Sequence, residues 1–219
     1  MKGKKWLIIA DGLPLKTEKT RRLAINRSVI ALDAALITCL DYGITPDLVL
    51  GDFDSLDRSY IKNIKNQHDI VFLHRPCQNS TDLEKALDYL LENKEDNISI
   101  CHATGQRMDH TLYNLGLLKG FHNAFSELKI ITETENIYFI RNQSLTLMGR
   151  KKLAVALMSF PHAVINSKGL KYDMKNHELE LGLSESACNS LEQNNAQIDV
   201  DGDALLIIDD SIFLEAHLK

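Results

Sequence analysis

The sequence predicts an α/β N-terminal domain with a mostly parallel sheet flanked by helices, followed by a C-terminal all-β sandwich domain. Up to about residue 140, short β-prone apolar runs alternate with longer segments of helical period, and parallel neighbours need such crossover connections. Past residue 143 the rhythm changes to short alternating strands and turns. The 219 residues, 44% hydrophobic and 25% charged, have ordinary globular composition and accommodate one large core or two modest ones. The expected domains are therefore 1–143 and 144–219.

In chain order the first domain reads as strands at Trp6–Ala10, Val29–Leu32, Leu48–Leu50, Ile70–Leu73, Ile98–Cys101 and Leu128–Ile131. Amphipathic stretches lie between several of them, at Ala34–Tyr42, Leu56–Asn66, Asp82–Asn93 and Asp109–His122. The second domain reads as strands at Ser144–Met148, Leu153–Phe160, Gly169–Asp173, His177–Leu181, Gln197–Asp201 and Ala204–Ile208. Asp201-Gly202-Asp203 between the last two is a hairpin signal, because Asp and Gly tolerate the positive φ of tight turns.

Composition excludes several classes. With 25 Lys+Arg against 30 Asp+Glu and a net charge of −5, nothing supports nucleic acid as the main partner. The basic cluster Lys16, Lys19, Arg21 and Arg22 reads as a solvated face or a phosphate-attracting loop. Cys39, Cys77, Cys101 and Cys188 form no C-x-x-C, and the eight histidines form no metal-type pair, so zinc, haem and a disulfide scaffold lose ground. No run approaches the roughly 20 apolar residues of a membrane span. The run Trp6–Ala10 is too short for a signal-peptide core, so a cytoplasmic protein with no membrane partner is expected.

Acids end the strands. Asp33 follows Val29–Leu32, Gly51-Asp52-Phe53-Asp54-Ser55 follows Leu48–Leu50, and Asp82 and Asp109 open the later helices. In extended chain, alternate side chains share a side, so Asp52 and Asp54 converge while Phe53 turns into the core. Such hard oxygen ligands suit Mg²⁺ bound with substrate phosphates. The competing reading makes Asp54 or Ser55 an N-cap of the helix from Leu56, and Ser80, Thr81 and Asp109 caps of theirs. Capping accounts for each residue separately, whereas one shared sheet edge accounts for all of them together. With Gly105 and Arg107 alongside, that edge suits a nucleoside polyphosphate: backbone N–H groups near Gly105 line phosphates and Arg107 spreads its fork over developing charge. No P-loop or Rossmann glycine motif is present.

Five motifs in order along nearly the whole chain resemble the thiamine pyrophosphokinase family. They are Gly43-Ile44-Thr45-Pro46-Asp47 leading to Gly51-Asp52-Phe53-Asp54-Ser55; Thr81-Asp82-Leu83-Glu84-Lys85-Ala86; Gly105-Gln106-Arg107-Met108-Asp109-His110 with Asn114; Ser167-Lys168-Gly169-Leu170-Lys171-Tyr172; and Cys188-Asn189. The resemblance implies a catalytic, nucleotide-binding α/β domain and a thiamine-binding, dimerising β-sandwich, in a homodimer with active sites between subunits. The implied reaction moves the diphosphate of ATP to the hydroxyl of thiamine and releases AMP. It further implies Mg²⁺ on Asp52, Asp54 and Asp82, with Asp33 and Asp109 close by. Arg107 would contact phosphate, Gln78, Thr81 and Gly105 would lie on the ligand side, and Ser167 and Tyr172 of the partner subunit would form the thiamine pocket.

Two departures from the family pattern stand out. Its A-D-G-G-A strand end reads Ala31-Leu32-Asp33-Ala34-Ala35 here, and its K-D-x-T-D reads Gln78-Asn79-Ser80-Thr81-Asp82; Ala10-Asp11-Gly12 aligns with an earlier loop. A single-phosphoryl small-molecule kinase, and a nucleotide- or thiamine-sensing module without turnover, remain alternative readings.

Overall fold

Apolar runs of four or five residues, all but the last followed by a helix, build the first unit of the chain. The structure is a computed structural model that describes residues 4–217 except 55 and 78. The strands are β1 (Lys5–Ile9), β2 (Ser28–Leu32), β3 (Leu48–Gly51), β4 (Val71–His74), β5 (Asn97–Cys101) and β6 (Glu127–Ile131). The helices between them are α1 (Thr17–Ala24), α2 (Ala35–Asp41), α3 (Arg58–Gln67), α4 (Asp82–Glu92) and α5 (Met108–Gly120). All pairs in the order β6-β5-β1-β2-β3-β4 are parallel. Alternation along each strand sends Leu7, Ile9, Val29, Ala31 and Val49 into one core with Leu36 and Cys39 of α2. It leaves Ile8, Ile30, Leu50, Ile98 and Ile100 fully buried on the opposite face. A sheet covered on both faces explains why these strands read as continuous apolar runs.

The chain leaves β1 toward β2 and later returns to place β5 on the other side of β1. Beyond the carboxyl ends of β1 and β5 the connections diverge, which opens a crevice. Helix α1 was not expected, and it changes the reading of the basic cluster. Lys19 is buried and its Nζ donates to Glu133 O at 2.7 Å, while the Arg21 side chain donates to Tyr42 O. Both contacts hold the helix in place; only Lys19 leaves the solvated face, while Lys16, Arg21 and Arg22 are exposed as that reading expects. The thiols of Cys39 and Cys101 are buried and unoxidised, and burial pushes Cys39 up to about 12.

The first unit ends at Glu133 and the second begins at Thr134, ahead of residue 143, because β7 runs unbroken over Glu135–Met148. The second unit is all β and antiparallel: β7, β8 (Ala154–Lys168), β9 (His177–Glu180), β10 (Ser186–Ser190), β11 (Asn195–Asp209) and β12 (Phe213–His217). Its strand order is β10-β8-β11-β7, with β12 on β7 and β9 on β8. The 15 residues of β11 would extend about 50 Å if straight. Yet Ala196, Ile198 and Val200 share one core cluster with Ala204, Leu206 and Ile208, so the strand bends over that core.

The bend sits at Asp201-Gly202-Asp203, where Gly202 has φ +101° and the ladders to β7 and β8 shift register. The expected hairpin is therefore a bulge within a single strand. A Cβ on Gly202 would lie 2.6 Å from His162 O, so the position admits only glycine. Asp203 fixes the bulge by a bidentate pair with Arg141, at 2.6 and 2.8 Å. Opposite it, β8 carries Pro161 where the ladder is already interrupted. The expected strand Gly169–Asp173 is a loop, because the Asp173 carboxylate accepts the N–H groups of Gly169 and Leu170 and curls the backbone.

Candidate active site

Three acids converge at the ends of β2 and β3. The chain turns sharply after β2, with Asp33 at φ +42° and its N–H donating to Leu50 O at 3.0 Å. Gly51 makes room, since a Cβ there would lie 3.0 Å from the Asp33 Cβ. Beyond Gly51 the backbone is not extended: Phe53 has φ +60°, and its ring packs edge-on against Phe72 and stacks on His74, both at 5.8 Å. A left-handed turn, not strand alternation, therefore brings Asp52 and Asp54 to one side, with Asp54 N–H donating to Asp52 Oδ1 at 3.3 Å. Carboxylate oxygens of Asp33, Asp52 and Asp54 all lie within 4.8 Å of one another. Such a set is self-repelling without a cation and offers the hard donors that Mg²⁺ takes.

Capping does not account for these acids. Helix α3 is capped by Asp57, whose carboxylate accepts from the backbone of Ser59 at 2.7 Å and of Tyr60. Helix α4 is capped by Thr81, whose Oγ1 accepts from Glu84 N at 3.3 Å. Asp57→Ala is expected to lower the melting temperature by about 2–4 °C while turnover stays within about twofold, as paired thermal melts and rate assays would read out.

A cavity of about 430 Å³ opens beside the acids, all of it within the first unit. Its walls are Ala10–Gly12 after β1, Leu32 and Asp33 at the end of β2, Asp52, Ser80 to Leu83 at the start of α4 with Lys85, His102, Ala103 and Gly105 to Arg107 after β5, and His110 and Asn114 of α5. Two backbone hydrogen bonds join the loops after β1 and β5: Gly12 N–H to His102 O at 2.7 Å and Leu13 N–H to Thr104 O at 2.9 Å.

Of the residues expected at the site, Asp33, Asp52, Thr81, Asp82, Gly105 and Arg107 line this cavity, and Asp54 joins through the carboxylate cluster. Asp82 stands apart from that cluster, 2.9 Å from the Lys85 ammonium. Gly105 acts by shape: its φ is +79°, a Cβ would lie 2.7 Å from Leu13, and its N–H is taken by Thr111 Oγ1 at 3.1 Å, not left for phosphate. Arg107 grips Asp109 through both Nε and Nη2, which holds the Asp109 carboxyl down at about 2. Asp109 itself is exposed and does not line the cavity. Ser167 and Tyr172 belong to the second unit: Ser167 Oγ accepts from Met174 N at 2.9 Å, and the Tyr172 ring is 57% exposed. Gln78 falls outside the described residues.

The alanines at 34 and 35 do not need glycine's freedom. Ala34 has φ −63° and Ala35 is buried in the core, while the positive φ of this turn belongs to Asp33.

Asp11, His102 and Lys85, like Gln106, His110 and Asn114, were given no role from the sequence and face the cavity. Asp11 ends β1 as Asp33 ends β2, and partial desolvation raises its carboxyl above the usual range. The strand-end rule applied to the run Trp6–Ala10 would have found it. His102 is buried at φ +55°, 3.1 Å from Thr20 Oγ1 through Nε2, and burial drops it to about 4, so the ring is neutral at pH 7. Lys85 is buried at the same wall and pairs with Asp82.

Residues 21–132 match the model of the thiamin pyrophosphokinase catalytic domain, and residues 144–205 that of the thiamin pyrophosphokinase vitamin B1 binding domain. The thiamine pyrophosphokinase of Bacillus subtilis is 28% identical over 165 residues, covering 74% of this chain and 77% of that protein. Thiamin pyrophosphokinase 1 of Caenorhabditis elegans is 30% identical over 159 residues, covering 67% and 63%. The crystal structure of the B. subtilis protein superposes with a TM-score of 0.80 at 25% identity, over 94% of this chain and 98% of that one. Yeast thiamin pyrophosphokinase shares the fold with a TM-score of 0.80 at 17% identity, over 97% and 87%.

Proposed function

Because the chain belongs to the thiamin pyrophosphokinase family, we propose that it is a thiamine diphosphokinase, transferring the diphosphate of ATP to the hydroxyl of thiamine to give thiamine diphosphate and AMP. The observation that carries this reading is the convergence of Asp33, Asp52 and Asp54 at the edge of a polar cavity.

Attack of an alcohol on the β-phosphorus needs the hydroxyl in line, the polyphosphate charge balanced and water held away. Asp33, Asp52 and Asp54 would hold Mg²⁺, which when bound supplies positive charge across the polyphosphate oxygens. Arg107, oriented by Asp109, adds a cation at the rim. The hydroxyl proton passes to a carboxylate facing the cavity. Asp11 suits that task because its raised affinity for protons brings it nearer the operating pH. Neutral His102 supports the wall through Thr20 and adds no charge.

A homodimer is part of this reading. Ser167 and Tyr172 lie in the unit that matches the vitamin B1 binding domain, and an exposed tyrosine ring suits a flat aminopyrimidine and a cationic thiazolium. A second subunit would bring that ring to the cavity. A cytoplasmic place of action, where ATP is available, belongs to the same reading; no helix among the described residues is long and apolar enough to cross a membrane.

The test is product analysis with Mg²⁺, ATP and thiamine. AMP and thiamine diphosphate are expected in equal amounts. ADP as the sole nucleotide product would point to single-phosphoryl transfer, and binding without any nucleotide turnover to a sensor.

A further inference from the structure

His102 is 2% exposed, lines the cavity and sits at φ +55°, a conformation that few residues with a side chain adopt. The Thr20 hydroxyl donates to Lys16 O at 3.2 Å, so in its 3.1 Å contact with His102 it accepts, which puts the ring proton on Nε2. Burial keeps the ring neutral, and Nδ1 is left as a bare lone pair. The two nitrogens of an imidazole point to nearly opposite sides. Nε2 faces α1, and among the described residues none of α1 lines the cavity, so Nδ1 is turned away from α1. No described residue donates to Nδ1. A buried acceptor without a donor is costly, and the cavity is where a donor can enter.

Polyphosphate oxygens only accept hydrogen bonds, so this lone pair offers them nothing. The three converging acids stand at the ends of β2 and β3. In the order β5-β1-β2-β3, the end of β5 lies roughly 10 Å from that of β2 and roughly 14 Å from that of β3. A triphosphate held at the acids reaches that distance with its nucleoside end, whose neutral donors are the ribose hydroxyls and the amine of adenine. We propose that His102 Nδ1 accepts a hydrogen bond from one of these donors and so selects the nucleotide. The inference rests on the diphosphokinase reading for the identity of the nucleotide; its chemistry is that of a buried acceptor meeting a neutral O–H or N–H. It also gives the left-handed backbone at His102 a purpose, since strain of this kind collects where a side chain must be held for a ligand.

The experiment measures dissociation constants by calorimetry in excess Mg²⁺, without thiamine, for the full-length protein and His102→Phe. The ligands are ATP, its 2′-deoxy and 3′-deoxy forms, purine riboside triphosphate, which lacks the amine, and inorganic tripolyphosphate. The parent is expected to bind one of the three analogues about five- to tenfold more weakly than ATP, and that analogue identifies the donor. His102→Phe keeps a ring beside Tyr42 and should bring this preference to within about twofold of none, with tripolyphosphate affinity and the KM for thiamine each within about twofold of the parent. Should His102→Phe fail to fold, His102→Gly, which suits a positive φ, takes its place with the same outcome expected. A parent that binds all three analogues as tightly as ATP, a variant that keeps the preference, tripolyphosphate affinity that falls along with that of ATP, or a loss borne by thiamine would each overturn the proposal. Histidine-dependent choice of nucleotide in a protein that never diphosphorylates thiamine would leave this contact standing and sink the reading of the reaction instead.

Discussion

Asp52→Asn is expected to reduce turnover by about 10²–10³-fold and to leave the melting temperature within about 2 °C. The substitution keeps the size of the side chain and an oxygen able to accept the Asp54 N–H, so the local turn survives. What it removes is one of three charges whose oxygens lie within 4.8 Å of one another. Relieving that repulsion favours the fold slightly, whereas the loss of a hard ligand weakens the site. The Mg²⁺ concentration for half-maximal rate should rise by about tenfold or more. Rate assays across a Mg²⁺ series, beside thermal melts, check both halves; activity and stability falling together would show Asp52 to be structural. The cap variant Asp57→Ala is expected to show the opposite pattern, which makes the two a matched pair.

The second large effect is on stability. Gly12→Ala should lower the melting temperature by roughly 5–10 °C and reduce turnover with it. A Cβ at residue 12 would sit 2.3 Å from His102 O and 2.9 Å from Thr104 O, both backbone atoms with no rotamer to yield. To admit the methyl, the loop after β1 must leave the loop after β5, and the hydrogen bonds from Gly12 N–H and Leu13 N–H are lost with it. Those loops form the cavity wall that carries Asp11 and His102. Differential scanning calorimetry with a turnover assay reads both, and an alanine variant with parental stability would contradict the close approach.

The first unit was legible because its strands are buried on both faces and its acids sit at strand ends, two features that follow from chain direction alone. Asp33, Asp52 and Asp82 were found that way. Asp11 obeys the same rule, but the resemblance places Ala10-Asp11-Gly12 in an earlier loop and gives the strand-end acid as Asp33. Helix α1 was missed because its eight residues are mostly polar, so its period lies in charges and not in an apolar stripe; Lys19 and Arg21 fix it by reaching the backbone carbonyls of Glu133 and Tyr42. The tripeptide at 201–203 misled for a physical reason: hairpin turns and bulges both call for positive φ, and only the neighbouring strands decide between them. The cap of α3 was misplaced by a few residues, which decided whether Asp54 was free to join the cluster.

The pairing of β1 with β5 also dictates an order of assembly. As the chain leaves the ribosome, residues up to β4 can already form the turn that gathers Asp33, Asp52 and Asp54. The wall that encloses them waits for Asn97–Cys101 to slide in beside Lys5–Ile9 and for the loop beyond it to meet Gly12. A nascent chain halted at residue 93 would therefore carry the acidic edge and the walls from Ala10–Gly12 and Ser80–Leu83, but lack the wall that follows β5. The strand that arrives fifth turns an open edge into a chamber, before the sheet's last strand, β6, has been made.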